Sequence, residues 1–307
     1  MNAYYRQPAI YKDQVVFIAE DDLWTFNLKD KVARRLTANL GMIRYPQFSP
    51  DGKQIAFTST EEGTSEIYIM PSEGGEAKRL TYLGAYLYTL GWKGSKIIFA
   101  SSHSSYLQGY YKLYEIDCEG GAPVELPYGR ATDISFGEKG VVLGRNTGNP
   151  ARWKRYRGGT AGYILIDKNG DGKFKKLIDL KGNFACPMWI GNRIYFICDH
   201  EGIGNIYSCT PEGKDLQKHS NHQDYYARGA YSDGKTIIWH SGAELWLMDV
   251  KENKPRKLSF AYSSPMVQRQ RKFVSPPKNL ENVFLSPDGG SLSLELRGKA
   301  LVSGNWE

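Results

Sequence analysis

Arg34-Arg35-Leu36-Thr37, Lys78-Arg79-Leu80-Thr81, Val124-Glu125-Leu126-Pro127, Lys175-Lys176-Leu177-Ile178, Leu216-Gln217-Lys218-His219 and Arg256-Lys257-Leu258-Ser259 are six versions of one short strand, mostly basic with an apolar residue inside. Their first residues lie 44, 46, 51, 41 and 40 positions apart. A period of roughly 40–50 residues built from short strands predicts a propeller, one repeat to a blade. Each repeat reads as four strands. In the second, Tyr45 to Ser49 runs into Pro50-Asp51-Gly52, a tight-turn signal in which Pro presets φ and Gly accepts positive φ. Gln54–Ser59, Glu66–Met70 and Ala77–Tyr82 follow, with strand length and without a helical stripe. The fold class expected is therefore all-β, a six-bladed β-propeller with four-stranded antiparallel blades. The blades are expected near 8–42, 43–84, 85–128, 129–180, 181–220 and 221–262.

The last 45 or so residues break the pattern. Asn282–Gly289 and Ser291–Gly298 read as two strands of a new blade that stops at Leu301–Glu307. Met1 to Asp13 already supplies an inner strand for blade one. The tail is thus expected to be the start of a further β domain, which divides the chain into 1–265 and 266–307. Closure of the ring would rest on packing between blades one and six, because propellers need only protect their edges.

Composition bounds the function. A net charge of +7 over 307 residues is mild, and acidic residues are interspersed throughout. Nucleic-acid binding calls for a concentrated basic face. Only Arg152–Arg157 and Arg269–Lys272 are basic clusters, and solvated loops account for such runs. No apolar run approaches the roughly 20 residues that cross a bilayer, and Met1–Pro8 lacks the apolar core of a secretory signal. Cys118, Cys186, Cys198 and Cys209 show no CxxC spacing, which fits a reducing cytoplasm. Contact between Cys198 and Cys209, on neighbouring predicted strands, stays open. The reading is of no cofactor, no metal, no nucleic acid and no membrane.

Asp167-Lys168-Asn169-Gly170-Asp171-Gly172 resembles the opening of a calcium loop, but Ile178 stands where a bidentate Glu belongs, so a hairpin turn is expected. The five histidines show no paired ligand spacing. No Gly-x-Ser-x-Gly elbow and no phosphate loop occur. The segment Asn149–Gly162 interrupts blade four and exceeds an ordinary hairpin loop, and long loops on rigid scaffolds often carry function. In it Arg152, Lys154, Arg155 and Arg157 alternate with Trp153 and Tyr156. Arg suits a carboxylate through its two parallel N–H donors. Lys154, Arg155 and Arg157 are the candidate peptide-binding residues, and Trp153 and Tyr156 the candidate loop anchors. Gly158 and Gly159 offer a sharp turn. The alternative is a purely structural loop whose cations stay solvated.

Pro50-Asp51-Gly52 with Glu66-Ile67-Tyr68-Ile69-Met70 resembles TolB-type repeats. A sharper resemblance rests on Gly144-Arg145-Asn146-Thr147, Trp153-Lys154 and Tyr156-Arg157-Gly158-Gly159-Thr160. Arg193-Ile194-Tyr195-Phe196-Ile197 through Asp199 and Ile206-Tyr207-Ser208 extend it, with Asp224-Tyr225-Tyr226 and Arg228. Colinearly from about 8 to 300, the chain resembles the N-terminal propeller of the tricorn protease family. That resemblance implies a large cytoplasmic serine protease, a homo-hexamer whose catalytic residues lie in C-terminal domains, so no catalytic residue is carried over here. It implies a non-catalytic propeller that guides or sieves short peptides, with further domains of the parent as partners. A free-standing TolB-like interaction propeller is the alternative. The family's carboxylate-binding arginine pair has no counterpart in Tyr82–Tyr88, which contains no arginine.

Overall fold

The computed structural model describes residues 3–107, 109–149, 151–266 and 275–305. Arg269–Lys272, one of the two basic clusters, lies outside the described residues. Two compact units divide the chain, Met1–Ser263 and Ser264–Glu307.

In the first unit the described residues form six four-stranded antiparallel sheets, each from four consecutive strands. Sheet one comprises Arg6–Tyr11, Gln14–Ala19, Asp22–Asn27 and Arg34–Arg35. The first strands of sheets two to six are Ile43–Phe48, Leu87–Lys93, Asp133–Phe136, Phe184–Ile190 and Arg228–Ser232. Second strands are the most buried: Val15, Phe17, Ile55, Phe57, Ile97, Phe99, Ile194, Phe196, Ile237 and Trp239 have no exposed surface. Both faces of each such strand pack, one on the preceding sheet and one on the next. Hence Val15 and Phe17 join one apolar cluster while Val16 and Ile18 join another.

The recurring basic block is the outermost strand, and hydrogen bonding explains its composition. In sheet one the Thr37 hydroxyl donates to buried Asp22 (2.8 Å) and accepts from the Leu23 amide (3.0 Å), while Arg35 pairs with the same carboxylate. In sheet two Thr81 donates to buried Glu66 (2.5 Å) and accepts from the Ile67 amide (2.9 Å), with Arg79 beside it. In sheet five Ser220 donates to Asn205 (2.8 Å) and accepts from the Ile206 amide (2.9 Å). The hydroxyl ties the last strand to the polar residue that opens the third, so that residue's buried oxygen and the next amide both find a partner. The block of sheet five consequently begins at Gln217, one residue later than the sequence spacing places it, because Ser220 fills the Thr position.

First strands share a second device. The pairing register slips between Arg6 and Ala9, Arg44 and Gln47, Ala185 and Met188, and Arg228 and Tyr231. At each bulge one residue turns left-handed: Gln7 (φ 47°), Tyr45 (52°), Cys186 (50°) and Gly229 (55°). Three of these are not glycine, which is uncommon for positive φ.

Sheets one and six pack on each other through Val15, Phe17, Trp24 and Phe26 on one side and Ile238, Leu245, Leu247 and Leu258 on the other. The chain leaving sheet six then lies along sheet one. Ala261 donates to the Lys31 carbonyl (2.7 Å) and accepts from the Ala33 amide (2.8 Å), and the Phe260 ring stacks on Phe26 at 4.3 Å.

The second unit holds a one-turn helix, Pro276–Asn279, and a three-stranded antiparallel sheet, Leu280–Leu285, Ser291–Leu296 and Lys299–Gly304. The third strand corrects the expectation of two: Arg297 and Gly298, both left-handed, make a tight turn that the sequence reading left out. All four cysteines are free thiols. Cys198 pairs with Asn205, and Cys209 with Ile194, at opposite ends of the same strand pair.

Candidate functional site

The loop 149–162 leaves the second strand of sheet four and returns as Tyr163–Asp167. Pro150 within it lies outside the described residues. Its base is set by Thr147, whose hydroxyl donates to Asp133 and whose amide donates to the Thr132 hydroxyl (3.1 Å). Gly144 beneath it admits no side chain: a Cβ there would sit 2.0 Å from the Thr147 hydroxyl and 2.8 Å from the Asp133 Cβ. From this base the loop reaches sheets five and six.

One carboxylate holds it. Asp199, fully buried just after Arg193–Cys198, accepts from the Arg155 amide (3.0 Å) and the Asn183 amide (2.7 Å). Arg157 Nη1 pairs with it at 3.3 Å, and Nη2 donates to its backbone carbonyl (3.3 Å). Asn183 also donates through Nδ2 to the Tyr156 carbonyl (3.0 Å). Farther out, Arg228 of sheet six donates through Nε to Asn149 (3.1 Å).

Arg157 is committed to Asp199. Lys154 and Arg155 project exposed side chains without an acidic partner among the described residues, with the Lys154 ammonium 6.0 Å from the Tyr226 ring. Trp153 is 61% exposed and rests against Tyr156, ring centroids 5.5 Å apart. Tyr156 is half-buried, and its hydroxyl accepts from Thr160 (3.2 Å). A turn with positive φ falls at Arg155 (φ 58°), and a second turn spans Gly158 to Ala161, closed by the Ala161 amide on the Gly158 carbonyl (3.0 Å) without positive φ; a Cβ on Gly158 would meet the Tyr156 hydroxyl at 2.0 Å.

A second group lies on the first strands. Tyr45 and Tyr88 set their rings 5.2 Å apart, and the Tyr88 hydroxyl donates to the Thr132 carbonyl (3.0 Å), next to Asp133. Burial pushes the Asp133 carboxyl up to about 7, against the opposing Thr147 hydrogen bond. Burial, then the nearby Asp133 charge, raises the Cys186 thiol to about 12, so it is no nucleophile. Asp133 stands in no sequence motif, and Asp199 enters only as part of the family resemblance with no role attached, since a single carboxylate within a strand pattern does not announce its partners.

One constellation imitates a catalytic triad. Ser208 Oγ lies 2.7 Å from His219 Nε2, and His219 Nδ1 lies 2.5 Å from Asn253 Oδ1. Ser208 is fully buried, and Arg193 Nε donates to its oxygen at 2.8 Å. An oxygen without solvent access and with a lone pair held by a guanidinium cannot attack a carbonyl; geometry and role define a triad. The group is a polar joint between sheets five and six. Asp167, likewise, turns its carboxylate onto four amides, Asn169 to Gly172, at 2.8–3.2 Å. Burial pulls its carboxyl up, but those amides outweigh it and hold it below the usual range. The segment is a turn stapled by its own first residue.

Residues 2–254 match the model of the tricorn protease N-terminal beta propeller domain. The chain belongs to this family. A tricorn protease homolog of Saccharolobus solfataricus is 33% identical over 315 residues, covering 100% of this chain and 29% of that protein. Tricorn protease homolog 1 of Streptomyces coelicolor is 39% identical over 295 residues, covering 93% and 27%. The crystal structure of the tricorn protease superposes with a TM-score of 0.87 at 33% identity, covering 99% of this chain and 30% of that one. The chain thus spans under a third of the length of these tricorn relatives. No described helix is long and apolar enough to cross a membrane.

Proposed function

We propose that the first unit is a closed six-bladed propeller that guides or sieves short peptides for a tricorn-type serine protease. Closure rests on the apolar cluster shared by sheets one and six and on the Ala33–Ala261 backbone pairing. Residues 266–307 begin a further β domain. The parent is cytoplasmic, carries its catalytic residues in other domains and assembles as a homo-hexamer; this part does no chemistry of its own.

The observation that carries the reading is the loop 149–162, which presents Lys154 and Arg155 from a backbone fixed by Asp199. A fixed backbone spares part of the ordering entropy that a peptide would otherwise have to offset on binding. Both cations face a peptide carboxylate, Arg155 with its two-donor fork. Arg157 braces the loop from beneath. The test is a titration of tetra-alanine with free and amidated C-termini against the chain and its Lys154→Ala and Arg155→Ala variants. The expected result is weaker binding on amidation and in both variants. Unchanged affinity throughout would reduce the loop to a structural element.

A further inference from the structure

Asp133 is a carboxylate without a counter-ion. Its Oδ2 accepts from Thr147, while Oδ1 has no hydrogen-bond partner among the described residues. No cation pairs with it there, although the loop that starts two residues after Thr147 is rich in cations. It lies deep among protein atoms yet keeps part of its surface open, as a side chain on the wall of a narrow opening must. Among the groups on neighbouring first strands near enough to feel its charge are Tyr45, Tyr88 and Cys186, and none of them supplies a positive charge. Two of the three are aromatic rings, set 5.2 Å apart. The Thr132 carbonyl beside it already accepts from Tyr88.

An open carboxylate oxygen near uncharged tyrosine side chains, with no cation of the chain paired to it, is the chemistry that receives an ammonium group. The carboxylate supplies a charge-assisted acceptor. We propose that Asp133, Tyr45 and Tyr88 form an ammonium-binding site on the inner wall of the sheet ring, and that it takes the free α-amino end of a peptide. The inference rests on the peptide-guiding reading and deepens it. The exposed cations of the loop would hold the carboxylate end of the peptide and the wall its amino end. Burial that pushes the Asp133 carboxyl to about 7 fits an acid that lacks a positive partner until a ligand brings one.

The probes are tetra-alanine with a free amino terminus and its N-acetylated form, both with free C-termini, titrated calorimetrically into the 307-residue chain. Acetylation is expected to weaken binding about tenfold or more, the scale of one lost hydrogen bond to a charged group. In Asp133→Asn the two peptides are expected to bind alike, with an unchanged unfolding midpoint showing that the variant folds. Tyr88→Leu is expected to shrink the preference for the free amine. Equal binding of both peptides by the unmodified chain overturns the proposal whatever the variants do, and so does an Asp133→Asn chain that keeps the preference. If amidation of the C-terminus weakens binding while acetylation does not, the ammonium site is wrong and the loop's role stands. If neither peptide binds, both readings fail.

Discussion

The seam between sheets one and six and the loop 149–162 each bring together parts of the chain that the repeat does not itself join, and they do so by opposite means. The seam is apolar and redundant. Tyr5, Phe17, Phe26 and Phe260 contact one another with centroids 4.3–5.9 Å apart, and buried aliphatic residues from both sheets surround them. The loop is polar and centred on one group: remove the Asp199 carboxylate and two amides and a guanidinium lose their acceptor together. A joint made of many apolar contacts weakens by degrees. A joint made on one buried carboxylate fails at once, but only locally.

Substitutions separate the two. Phe17→Ala, in the centre of the seam, should cost about 3–5 kcal/mol, read from chemical denaturation as a shift of the whole transition. A cost below about 1 kcal/mol would mean that the seam contributes little. Asp199→Asn should cost about 1–3 kcal/mol, since it keeps the shape but cannot serve the Arg157 guanidinium and the amides together. Its distinguishing sign is early proteolytic cleavage within 149–162 while the sheets stay intact. Cleavage elsewhere first, or none, would show that other contacts hold the loop. Trp153→Ala should change stability by no more than about 0.5 kcal/mol, because most of the ring is already in solvent. A larger loss would make Trp153 the anchor that its residue type suggests.

The sheets were legible because their chemistry repeats. Arg-Leu-Thr at 35–37 and again at 79–81 satisfies a buried acid and an amide in the same way, so the pattern survives in the residue types. It blurred where Lys218-His219-Ser220 does the same work with other side chains, and the sequence spacing slipped by one residue there. The four first-strand bulges were not legible: Gln, Tyr and Cys give no hint of positive φ, and only tertiary packing keeps them there. At the loop, the basic and aromatic residues announced a site, but not which of them would be spent internally. Arg157 differs from Arg155 only in what lies opposite, and Asp199 is 42 residues away in sequence. Asp133 was invisible for the same reason, since its meaning depends on three other strands.

The central claim is that the first unit is one ring closed without exchange of a strand, and native-state hydrogen exchange tests it most directly. The Ala33 and Ala261 amides are bonded across the seam, at 2.8 and 2.7 Å. The account predicts that both exchange only through global unfolding, with the same opening free energy as the core amides of Val16 and Ile238. Exchange of Ala33 and Ala261 through a separate, cheaper opening while Val16 and Ile238 stay protected would show that the ring stands open at the seam, and would contradict it.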